Sequence, residues 1–88
     1  MLTIFIISNI TKELKRLLKI NCQQINSEAY VGCISSRIRD ELWKRIDKES
    51  IIREATMIYA IQNHVVIENK GSDSNKIKEL DLIDLIKS

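Results

Sequence analysis

The sequence predicts an α+β fold of the split-βαβ class, with two helices on one face of a mainly antiparallel sheet. Three observations carry this expectation. Residues 2–8 are apolar at both alternations, Leu2, Ile4 and Ile6 against Thr3, Phe5 and Ile7, which marks a central strand covered on both sides. The stretches 11–23 and 35–48 each repeat apolar residues at helical spacing behind a hydroxyl-bearing cap. The runs 54–61 and 64–69, rich in Ile, Val, Met and Tyr, flank a tight turn at Gln62-Asn63 and read as a hairpin.

Each element has its own local cause. Thr11 caps the first helix, which sets Leu14, Leu17, Leu18 and Cys22 on one side and Lys12, Lys15, Arg16 and Lys19 around the outside. The polar break Gln23-Gln24-Ile25-Asn26-Ser27 leads to a strand over 28–33, where Gly32 suits a close backbone approach. Ser35 caps the second helix, along which Ile38, Leu42 and Ile46 repeat at four-residue steps. Arg37/Glu41, Asp40/Lys44 and Glu41/Arg45 stand at i,i+4 and support that helix. Lys70 to Lys76 read as a loop, and the apolar residues of 80–86 fit a short strand or a helical turn equally well. The resulting order, β-α-β-α-β-β, departs from the ferredoxin-like β-α-β-β-α-β order.

Length and composition bound the rest. The 88 residues make one domain, with no linker, repeat or low-complexity tract. A chain this short buries only about 60–65% of the surface its unfolded form exposes. With 44% hydrophobic residues and few aromatics, it gains by burying a further face in an oligomer, so a homodimer is expected. The net charge of +2 is too small for a protein wrapped in nucleic acid, so any phosphate binding must come from local clusters. Cys22 and Cys33 lack the spacing of a metal site and read as buried or half-buried thiols in a reducing compartment. The apolar opening has no charged flank and is too short to span a bilayer, so a cytoplasmic protein without membrane contact is expected.

Candidate chemistry is sparse. His64 has no nucleophile or metal partner nearby in sequence and reads as a solvated residue at a hairpin tip. Ser35 is explained by capping, and Asp40 and Glu41 point about 100° apart on a helix and read as partners of Lys44 and Arg45. The stretch Tyr30 to Trp43 runs a strand into a capped helix with a basic first turn. That arrangement presents backbone N–H and guanidinium groups to phosphate. With the cluster on the first helix, it makes the basic residues the better functional candidates.

Several of these residues together resemble a known family. They are the apolar strand ending Ile7-Ser8-Asn9-Ile10, the helix bearing Leu14, Leu17 and Leu18, and Tyr30-Val31-Gly32 followed by Ser35, Arg37-Ile38-Arg39 and Trp43. The chain resembles CRISPR-associated protein two, the small subunit of spacer acquisition, in its type I-E form. The resemblance implies a ferredoxin-like sandwich spanning residues 1–88 as a two-fold homodimer, with 80–88 as a terminal edge strand or tail that docks a partner. It further implies a dimer bridging CRISPR integrase subunits and holding a double-stranded prespacer DNA. Lys15, Arg16, Arg37 and Arg39 would be the duplex contacts, and Leu82, Ile83, Leu85 and Ile86 would meet the integrase subunit. Many relatives carry a carboxylate at the end of the first strand, where magnesium serves nuclease activity; here Ser8 stands beside Asn9. A neutral hydroxyl is a poor lure for a hard cation. The expectation is therefore a scaffold with no catalytic residue and no cofactor. The alternative is a metal-dependent endonuclease or endoribonuclease of the same fold, with magnesium.

Overall fold

The computed structural model describes residues 1–71 and 77–81. Its elements, in chain order, are β1 (Leu2–Ile7), α1 (Lys12–Asn21), β2 (Gln23–Gln24), β3 (Ala29–Cys33), α2 (Ser36–Lys48), β4 (Ala55–Ile61), β5 (His64–Lys70) and β6 (Ile77–Asp81). The sheet runs β2-β3-β1-β4-β5-β6, and all its pairings are antiparallel. The α+β architecture with both helices and a mainly antiparallel sheet is therefore as expected.

One strand was not expected. Gln23–Gln24 pairs with Val31 and Tyr30, where the sequence reads as a polar break. Two polar residues carry no periodicity, so only the hydrogen bonding of the chain reveals the strand. It restores the ferredoxin-like order, β1-α1-β2-β3-α2-β4, and β5 and β6 extend that sheet beyond β4. The tail ambiguity also resolves in part: Ile77–Asp81 is a strand paired with β5, while Leu82, Ile83, Leu85 and Ile86 lie outside the described residues.

The core lies between the helices and one face of the sheet. Thr3, Phe5 and Ile7 of β1 are buried there with Tyr30, Ala55 and Met57 from the neighbouring strands. Leu14 and Leu18 of α1, Leu42 and Ile46 of α2, and Ile52 close over them. Gly32 is required at this seam, because a Cβ there would stand 2.7 Å from the Asn21 carbonyl oxygen and 2.7 Å from the Cys22 sulfur. Tyr30 is fully buried, and burial pushes its phenol pKa up.

β1 is central, but among the described residues only one of its faces is covered by the helices. Leu2 is 58% and Ile6 40% exposed. The register aligns Val31, Ile4, Ile58 and Ile67 in a cross-strand row on this same face, all half-buried. The sequence pattern is that of a strand buried twice; the two helices supply one cover.

The helices are joined to the sheet by caps as well as by packing. Thr11 Oγ1 accepts from the Leu14 N–H and Ser35 Oγ from the Ile38 N–H, both at 3.3 Å, as the sequence suggests. Lys70, expected in a loop, ends β5 instead. Its Nζ donates to the Ile46 carbonyl at 2.8 Å and the Glu49 carbonyl at 2.7 Å, and so caps the C-terminus of α2. Replacing Lys70 with Met should cost about 1.5–3 kcal/mol, the usual worth of hydrogen bonds from a charged donor. Urea denaturation of the two proteins measures it, and a loss below about 0.5 kcal/mol, within the range of neutral surface changes, would contradict the capping role.

Candidate nucleic-acid interface

α1 is built to turn its cations outward. Leu14 and Leu18 are buried on its inner face, with Leu17 packed at the margin. That rotation leaves Lys12, Arg16 and Lys19 exposed and Lys15 half-buried on the rest of the surface. Glu13 is the one acidic residue of the helix. The ion pairs among the described residues are Arg37–Glu41 and Arg39–Asp40, so the cations of α1 are left without a carboxylate partner there.

α2 divides the two arginines that the resemblance groups together. Arg37 points out, its side chain 88% exposed, with Nε 3.5 Å from Glu41. Arg39, two residues on, is only 7% exposed and shares the inner face with Leu42 and Ile46. Its guanidinium carbon lies 3.8 Å from the centre of the Tyr59 ring, and Nη1 donates to the Met1 sulfur at 3.0 Å. Nε and Nη2 reach Asp40 Oδ1 at 3.1 and 3.0 Å. The expected Arg37–Glu41 pair is therefore present, whereas Asp40 turns to Arg39 instead of to Lys44, and no Glu41–Arg45 pair forms among the described residues. The sequence holds a signal for this that the four-residue count from Ile38 passes over. Arg39, Leu42 and Ile46 are spaced i, i+3, i+7, one face of a helix.

At the end of β1, Ser8 is half-buried and its hydroxyl donates to the Glu54 carbonyl at 3.3 Å. Asn9 follows with φ of 59°, a left-handed turn that Asn tolerates. Ser8, Glu28 and Glu54 line one shallow cleft with Ile6 and Thr56. No group of three or more His, Cys, Asp or Glu side chains able to hold a metal occurs among the described residues. His64 is exposed, as expected for the hairpin tip. Cys22 is buried and Cys33 is exposed on the open sheet face, so only the first matches the expected half-buried or buried thiol. Among the described residues, no helix is long and apolar enough to cross a membrane.

The family model described as CRISPR-associated protein (Cas_Cas2CT1978) matches residues 2–85, nearly the whole chain, and the chain belongs to that family. No curated protein matches it.

Glu68, half-buried on the helix side of β5, reports on the Arg39 cluster. Burial pushes its carboxyl above the ordinary range; the Arg39 charge pulls it down and the Asp40 carboxylate adds to the rise. The folded chain thus keeps this proton to higher pH than the unfolded chain does. Its stabilising contribution is complete below the unfolded carboxyl pKa and is lost as pH rises through the folded one. Glu68→Gln should match the wild type at about pH 3, where the carboxyl is neutral in both states, and exceed it in stability at about pH 7. Denaturation midpoints across that range check it; a wild type that gains on the variant as pH rises would reverse the sign.

Proposed function

We propose that this member of a CRISPR-associated family, in a type I-E form, is a non-catalytic dimeric scaffold of spacer acquisition. In this reading it bridges dimers of the integrase subunit in the cytoplasm and holds prespacer duplex DNA by its phosphates. The observation that carries the reading is the cationic outer surface of α1. Lys12, Lys15, Arg16 and Lys19 face away from the core or flank it, with a single carboxylate in their helix. Lys12 and Lys19 are about 10 Å apart along the axis at 1.5 Å per residue. That is the reach of about three phosphates of one strand at 3.4 Å each. A grip of this kind reads no bases, which suits a complex that accepts spacers of any sequence.

The open apolar face of the sheet supports the dimer. Among the described residues no helix covers Leu2, Ile6 and the row from Val31 to Ile67, and a second copy related by a two-fold axis offers the same row in return. The two helix layers then lie on opposite outer sides of one particle, so each protomer presents its own cationic surface. Leu82, Ile83, Leu85 and Ile86 are proposed to dock the integrase subunit through strand addition.

The nuclease reading has one observation in its favour. Glu28 and Glu54 line the cleft at Ser8 and would bring carboxylates near the place where a magnesium ligand is expected. Against it, Ser8 itself brings no charge, and its hydroxyl is engaged with the Glu54 carbonyl. A magnesium-dependent cleavage assay on RNA and duplex DNA separates the two, with no turnover expected above background.

The grip is tested by replacing Lys15 and Arg16 with Gln. The dependence of log K on log salt should become shallower by about 0.9 for every phosphate no longer neutralised, so about 1.8 per protomer, with thermal stability unchanged. A slope equal to that of the wild type would remove α1 from the interface.

A further inference from the structure

The two helices form one layer, and their ends meet. The cleft between them is lined by Thr11, Glu13 and Leu17 of the α1 start and by Arg45, Lys48 and Glu49 of the α2 end. The last turn of α2 therefore stands beside the first turn of α1, where Lys12 begins the cationic stripe. On α2 the outward direction is fixed by what is buried: Arg39, Leu42 and Ile46 point in, so Arg37, Lys44 and Lys48, at i, i+7 and i+11, point out together. All are exposed, and Lys44 and Lys48 are without an ion-pair partner among the described residues.

Arg39 occupies the opposite side of the same helix. Each nitrogen of its guanidinium has a partner inside the protomer, and its plane lies over Tyr59. Drawing it out to a phosphate would break those interactions, uncover the Tyr59 ring and leave a void under α2. A buried cation is tolerated only while its partners stay in place.

We infer that α2 grips phosphate along Arg37, Lys44 and Lys48, and that Arg39 is the inner anchor of this stripe, outside the nucleic-acid interface. This rests on the duplex-binding role proposed above and redraws its surface. Lys44 and Lys48 join the interface, and Arg39 leaves it to serve as a positioning residue that holds α2 against β4. Lysine would keep the charge at position 39 but lose the planar fork and the stack on Tyr59.

Full-length variants binding a duplex of mixed sequence over a range of salt concentrations test the assignment. Lys44→Gln with Lys48→Gln should reduce the salt slope by about 1.8 per protomer at an unchanged melting temperature. Arg39→Met should lower the melting temperature and leave the slope as in the wild type. An unchanged slope in the lysine variant, or a slope reduced by about 0.9 per protomer in Arg39→Met, would overturn the assignment. Should Arg39→Met not fold, the wild type decides: the Arg39 Nε–H resonance stays in place on adding duplex if the inference holds and shifts if Arg39 touches phosphate. The Lys15 and Arg16 variant separates this result from the parent reading. An unchanged slope there sinks duplex binding by α1, whereas an altered slope there with none for Lys44 and Lys48 sinks only the assignment made for α2.

Discussion

Two helices can cover only one face of the sheet, and β1 is apolar on both. That mismatch governs the molecule. Phe5 and Ile7 take the covered side and gather the core from both helices, Tyr30, Met57 and Ile52. Ile4 and its neighbours are left on the other side, half-buried in a cross-strand row with Val31 and Ile58. A small domain that leaves such a row in water forgoes stabilisation it can recover by association. The open face is thus the physical argument for the dimer proposed above, in which the helix layer would take the opposite, outer surface.

The helix layer is polarised in turn. Leucines and isoleucines fix the rotation of α1 and α2, and the cations follow wherever the apolar residues do not point. Arg39 breaks the simple version of that rule. It sits among the apolar residues because the Tyr59 ring, the Met1 sulfur and the Asp40 carboxylate together satisfy a guanidinium that would otherwise be costly to bury. Lys70 secures the far end of α2 by giving its ammonium to two carbonyls there, each of which also accepts a backbone N–H, Ile46 from Glu49 and Glu49 from Ile52. The helix that presents Arg37 outward is therefore fixed at both ends by basic side chains turned inward.

Much of this was legible in the sequence, for stated reasons. Thr11 and Ser35 mark the helix starts because their hydroxyls have a local partner three residues on. The hairpin follows from two β-prone runs around Gln62-Asn63, and Gln62 takes φ of 53° to close it. The missing pieces depend on distant partners. Gln23–Gln24 becomes a strand because β3 folds back beside it, and the side-chain pattern of two residues cannot announce that. Arg39 and Lys70 read as surface cations until Tyr59 and the α2 carbonyls are placed next to them. At the candidate interface, the cationic residues were visible in the sequence, but the surface each one faces was set by packing.

In the proposed dimer a second copy closes the open sheet face. Sedimentation equilibrium on the wild type and on Ile4→Asp tests it directly, because Ile4 lies in the middle of the half-buried row on the open face and outside the helix-covered core. The wild type is expected at twice the 10.2 kDa of the chain and the variant, still folded, at the mass of a single chain. A wild type that sediments as one chain, or an Ile4→Asp variant that remains a dimer, would contradict it.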